Sequence, residues 1–168
     1  NFDTVLGQEK KNYSLYGFAL CPAIAEVQAR FWEEEKELAK AMEVGLCTVN
    51  YDDFFSRTTM YGKEYMGPDF AVPFTERYEN FYGDGPFDLE NRYITEDVPV
   101  GCYLMSQLGK KYGVETPVID AMILLASTML KRDLAAGSKY TLDYLDIGHM
   151  THEQLQKYLR EGVFTPKN

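Results

Sequence analysis

The sequence predicts an all-α fold, a helical bundle, on three observations. Apolar residues recur at spacings of three, four and seven along several segments. Proline tends to open those segments and glycine to close them, and no stretch shows the alternation of a half-buried strand. At 168 residues, with 45% apolar and 14% aromatic content, the chain can bury a core and is too apolar for disorder. One helical domain over residues 1–168 is expected.

Over residues 22–44, Ile24, Val27, Phe31, Leu38 and Met42 form one apolar stripe, with Pro22 in the first turn and Gly45 as the left-handed stop. Glu33, Glu34 and Glu35, followed by Lys36 and Lys40, read as the water-facing side of that helix, with ion pairs three and four apart. Asn50 and Asp52 as caps, followed by Phe54 and Phe55, predict a shorter helix over 50–60. Glycines, prolines and many aromatics between Gly62 and Pro86 predict a connection packed over the bundle, interrupted by a short helix over 75–82.

The spacing of Val100, Tyr103, Leu104 and Leu108 predicts a helix over 98–112, with Pro99 in its first turn, Gly113 at its end and a polar start at Thr95, Glu96 and Asp97. Thr116 as cap and Pro117 as first residue lead into the most apolar helix, carrying Val118, Ile119, Met122, Ile123, Leu125, Ala126, Met129 and Leu130. Its place is expected to be central. Thr151 with Gln154 three residues later spells a capping box, and Gly162 closes the last helix.

A formal charge of −9 repels phosphate backbones, so nucleic-acid binding is not expected. No apolar run approaches the roughly 18 residues that span a bilayer, and the N-terminus has no signal pattern. No membrane association and a cytoplasmic location are expected. Cys21, Cys47 and Cys102 read as reduced thiols packed as small hydrophobes. His149 and His152 lack an accompanying ligand cluster, so no metal site is expected. The chain has no Gly-x-Gly-x-x-Gly, no Walker loop and no Gly-x-Ser-x-Gly, which removes support for a nucleotide site or a hydrolase within it.

The segment Asn91-Arg92-Tyr93-Ile94-Thr95-Glu96-Asp97-Val98-Pro99-Val100-Gly101 holds the chemistry. Arg92 and Asp97 stand five apart at a helix start. On spacing alone they read as a surface ion pair and an N-cap. The same types also suit small organic acids, because a guanidinium fork matches a carboxylate and an aspartate can hold a histidine.

Read on through Leu108-Gly109, the run from Gly113 to Ala121 (Gly-Val-Glu-Thr-Pro-Val-Ile-Asp-Ala) and Leu130-Lys131-Arg132-Asp133, the chain resembles the C-terminal helical domain of the octopine/nopaline (opine) dehydrogenases. The fold implied belongs with the wider group of domains like the C-terminal domain of 6-phosphogluconate dehydrogenase. The resemblance is most specific over residues 91–134, looser over 13–44, and a matter of general layout over 45–90.

It implies an enzyme that joins an amino acid to a 2-oxo acid as an imine and reduces it with NADH or NADPH. NAD or NADP would be bound by an N-terminal Rossmann domain absent from this chain, and the helical domain would bind substrate and form a homodimer. The resemblance implies that Arg92 is a catalytic, substrate-binding clamp for a carboxylate. Asp97 becomes the partner of a catalytic histidine in a His-Pro segment upstream of Asn1. The chain is then a piece of a longer enzyme, inactive alone. The alternative is a stand-alone all-α interaction or oligomerisation module without catalytic activity. Thr95 and Glu96 stand open between facing the pocket and serving as cap and first-turn acid, whereas Asp120 is accounted for as a first-turn acid.

Overall fold

The computed structural model describes residues 22–46 and 88–167. The helices expected over 50–60 and 75–82, together with Cys21 and Cys47, lie outside them. The described residues are helical, with no strand among them. Of these, residues 22–32, 46 and 88–91 belong to one compact unit and residues 33–45 and 92–167 to another.

Helix α1, Pro22–Ala41, runs from the first unit into the second. In the first unit its stripe is only partly covered, since Ile24 is half-buried and Val27 exposed. In the second unit Leu38 and Ala39 are buried. Gly45 does not stop this helix. Glu43 takes the left-handed turn at φ 52°, and the N–H groups of Glu43 and Val44 donate to Lys40 O (3.1 Å) and Ala39 O (2.9 Å). That is the double closure of a Schellman end, built here without glycine.

The helix expected over 98–112 begins earlier and contains an irregular turn. Helix α2, Arg92–Thr95, is extended by Glu96, whose N–H donates to Arg92 O at 2.9 Å. A π-helical turn, Val98–Cys102, follows, and then α3, Tyr103–Tyr112, closed by Gly113 at φ 70°. Pro99 explains the irregularity: it has no N–H to donate, and its ring crowds the carbonyl four residues back, so the wider π turn accommodates it. The Tyr103 N–H then reaches Val98 O, five residues back. Ile94, Val98, Ser106 and Gly109 are the buried residues along this stretch, while Val100, Tyr103, Leu104 and Leu108 are half-covered.

Helix α4, Pro117–Leu130, packs against both the π turn and α3. Ile119 and Ala126 are fully buried, yet Leu124 is 67% and Leu125 53% exposed. The most apolar helix is thus a flank of the second unit rather than its centre. Its close approach to α3 depends on Gly109, where a Cβ would stand 2.8 Å from Val114 O and 3.0 Å from Thr116 Cγ2.

Thr116 does not cap α4 with its side chain. Glu34 does so from α1: its carboxylate accepts from the Val118 N–H at 2.9 and 3.1 Å and from the Ile119 N–H at 3.0 Å. Glu34 is fully buried, so the expected solvated glutamate face is corrected at its middle residue. Glu33 does keep its place on that face, paired with Lys36 at 2.6 Å. A carboxylate at a helix start meets otherwise unpartnered N–H donors and the positive end of the helix dipole, which is why a buried charge is tolerated there.

Helix α5, His152–Glu161, opens on the expected capping box. Thr151 Oγ1 accepts from the Gln154 N–H (3.2 Å), the Thr151 N–H donates to Gln154 Oε1 (2.8 Å), and Gly162 closes the helix at φ 71°. Gln156 and Arg160 of α5 donate to the carbonyls of Met42 and Glu43, which serves the loose end of α1. Lys111 holds the preceding turn to α3 through Gly148 O (2.9 Å) and Met150 O (2.7 Å). Met150 and Leu155 are thereby sealed in the core with Ile94 and Leu134.

Candidate functional site

Ile94 and Val98, four residues apart, are both buried and fix which side of α2 faces inward. Arg92 and Glu96 each stand two positions from Ile94, some 160° round the helix from it, and so point outward. The Arg92 side chain is 70% exposed, with Nε 3.5 Å from Glu96 Oε2. Asp97 is exposed as well, with helical backbone (φ −63°, ψ −36°) and no capping hydrogen bond from its side chain. It is therefore not an N-cap.

Five residues of helix turn through about 500°, which leaves Arg92 and Asp97 some 140° apart around the axis. The structure does not bring the two together. The ion pair that spacing suggested forms instead between Arg92 and Glu96, four apart.

The π turn has a local electrostatic consequence. Five residues at its wider pitch come back close to the same side, which sets Asp97 over Cys102. Burial, and after it the negative charges of Asp97 and Glu35, push the Cys102 thiol up to about 11. Glu35 itself is raised by burial. Cys102 is a free, half-buried thiol, in keeping with the small hydrophobe expected from sequence.

The histidines are engaged elsewhere. His152 Nε2 lies 3.4 Å from Glu43 Oε2, with its ring edge-on to Tyr112. His149 lies between Asp146 Oδ1 (3.4 Å from Nδ1) and Thr165 O (2.8 Å from Nε2). Among the described residues, no three His, Cys, Asp or Glu side chains gather as metal ligands would. Nor is any helix there long and apolar enough to cross a membrane.

Comparison with known proteins places this helical arrangement. The family model of the NAD/NADP octopine/nopaline dehydrogenase alpha-helical domain matches residues 4–130. The chain belongs to this family. Its opine dehydrogenase relative from Arthrobacter sp. (strain 1C) is 27% identical over 139 residues, covering 83% of this chain and 37% of the relative. The chain thus spans little more than a third of that protein's length. The family match includes α1 to α4, and with them Arg92 and Asp97, and stops at Leu130. The described residues offer no strand–glycine loop–helix unit to seat the pyrophosphate of the family's nucleotide. The family's cofactor therefore has no fitting seat among them.

Proposed function

We propose that this chain is the substrate domain of an opine dehydrogenase-like oxidoreductase that reductively condenses an amino acid with a 2-oxo acid. NAD(P)H is bound by a separate domain of the complete protein, and the chain alone is inactive. The observation that carries this reading is the outward-facing Arg92 guanidinium, 70% exposed on the first turn of α2 inside the family-matched region.

Arg92 grips the substrate carboxylate through two parallel N–H donors, which fixes the orientation of the 2-oxo carbon as well as its charge. Its contact with Glu96 is exposed at both ends and worth little, so a substrate carboxylate displaces it at small cost. Asp97 accepts a hydrogen bond from a histidine supplied upstream. It thereby holds that ring in one tautomer while the other nitrogen passes a proton to or from the reacting oxygen and nitrogen. The angular separation of the two residues keeps clamp and proton carrier on different flanks of the turn. Homodimerisation through helical surface, to which the exposed Leu124 and Leu125 contribute apolar area, and a cytoplasmic location belong to the same reading.

Kinetics of the complete protein test it. Arg92→Ala is expected to raise KM for the 2-oxo acid by ~10-fold or more, while Asp97→Asn mainly lowers kcat. Reading the gene upstream of Asn1 is expected to reveal a dinucleotide-binding domain and a His-Pro segment. Unchanged kinetics in both variants would remove these residue roles.

A further inference from the structure

Where an α-helix passes through a π turn, each donor reaches one residue further back, and the carbonyl skipped at the return to α pitch needs another donor. In regular pitch the Tyr103 N–H would serve Pro99 O, four residues back. Here it reaches Val98 O instead. The Pro99 carbonyl is served from outside the helix, by the hydroxyl of Ser138, 39 residues on, at 2.6 Å.

That hydroxyl has its direction fixed. Ser138 Oγ accepts from the Tyr140 N–H at 3.1 Å, which leaves its single proton for Pro99 O. The Ser138 N–H donates to Ala135 O at 3.1 Å, and Leu134 before it is buried, so the backbone carrying the hydroxyl is anchored as well. Beyond Ser138 the chain is fastened along α3. The Leu142 N–H donates to Gln107 Oε1 (3.3 Å), and Lys111 donates to the carbonyls of Gly148 and Met150. Residues 138–150 thus form a strap on α3, with Ser138 at the end that meets the π turn. The strap lies beyond Leu130, where the family match stops.

Ser138 bears on the rotation between the Arg92–Asp97 segment and the packed helices. As a π turn, the five residues Val98–Cys102 come close to one full turn, whereas at α pitch they would sweep about 500°. With no residue lost, that change would swing Arg92 and Asp97 by about a quarter turn or more against α3. It would also return the Tyr103 N–H to Pro99 O. The serine hydroxyl and that N–H are therefore alternative donors to one carbonyl, and the serine favours the π form by satisfying it there.

We propose that Ser138 is a positioning residue of the dehydrogenase site: its hydroxyl holds the π turn and so aims Asp97 and Arg92, without itself touching substrate. The inference rests on the roles given above to Arg92 and Asp97.

The test uses the complete protein. Ser138→Ala is expected to lower kcat ~10-fold or more, and Ser138→Thr, which keeps the hydroxyl, to stay within ~3-fold of the parent. Thr141→Ala is the control. Thr141 Oγ1 accepts from the Tyr144 N–H at 3.0 Å in the same strap, away from the π turn, and its loss should leave kcat unchanged. A second measurement needs no turnover. Asp97 stands over Cys102 and its charge acts on the thiol, so Ser138→Ala should speed alkylation of Cys102 by iodoacetamide ~3-fold or more. With Asp97→Asn already present it should add nothing, which general loosening of the fold would not reproduce. If the complete protein turns over no pairing of amino acid and 2-oxo acid, the dehydrogenase reading falls, and the alkylation cycle still decides whether Ser138 holds the turn. The proposal is overturned if Ser138→Ala leaves the Cys102 rate, or the kcat of an active protein, at the parent's value. It is overturned equally if Thr141→Ala lowers kcat as much, or if Ser138→Ala speeds alkylation to the same extent with Asp97→Asn in place.

Discussion

Replacing Glu34 with alanine should destabilise the protein more than loss of a surface glutamate could. The fully buried carboxylate accepts from two backbone N–H groups of α4, at 2.9 to 3.1 Å. Truncation leaves both donors without their acceptor, and each buried, unsatisfied group costs about 1–3 kcal/mol. Loss of the negative charge at the start of α4 adds about 0.3–1 kcal/mol. Relief from burying a charge offsets part of this, and Val118 is not wholly buried. A net loss of about 3 kcal/mol follows. Glu34→Gln keeps an oxygen near the donors but loses the charge, so it should cost about 1–2 kcal/mol. Urea unfolding followed by far-ultraviolet circular dichroism measures both. A cost below about 1 kcal/mol for Glu34→Ala, the value of an exposed ion pair, would refute the capping argument.

Four further outcomes are expected. Gly109→Ala sets a helix-propensity gain of about 1 kcal/mol against a clash with the backbone before α4, and the clash should win by about 1–2 kcal/mol. A raised melting temperature in that variant would disprove the close approach. Thr151→Ala should cost about 1 kcal/mol by opening the capping box, and adding Gln154→Ala should cost less than the sum of the single changes. Cys102, held up to about 11, should react with iodoacetamide at pH 8 about 100-fold more slowly than an ordinary thiol. Asp97→Asn should speed that reaction, and equal rates by peptide mass spectrometry would show that the Asp97 charge does not reach the sulfur. Burial raises Glu35 above its ordinary value of 4.5, so its contribution to stability is full below that value and lost as pH rises through the raised one. Glu35→Gln should therefore gain stability over the parent at neutral pH and not in acid, and a pH-independent difference in Tm would count against this.

Local grammar was readable from the chain. Pro117, Gly113, Gly162 and the Thr151–Gln154 box all act within a few residues of themselves, so their neighbours determine what they do. Glu34 was not readable, because its partners lie 84 and 85 residues away and nothing in a run of glutamates marks one as buried. The end of α1 was misplaced for a related reason. Glycine at 45 was the natural left-handed residue, but side chains of α5 receive the α1 carbonyls earlier and Glu43 makes the turn. Arg92 and Asp97 were singled out by residue type and family resemblance, whereas their divergence around the helix depends on the helical turn that begins at Arg92 itself.

The π turn at Val98–Cys102 holds one residue more than regular helix uses for the same rotation. Five residues of π turn and four of α-helix both come close to one full turn. Deleting one residue there would therefore restore regular pitch and leave Arg92 and Asp97 facing nearly the same way around the axis relative to α3. A residue lost from the regular helix on either side would instead turn them by about 100°. In comparing relatives, a single-residue gap within Val98–Cys102 is thus the one length change in this stretch that keeps the bearing of both side chains.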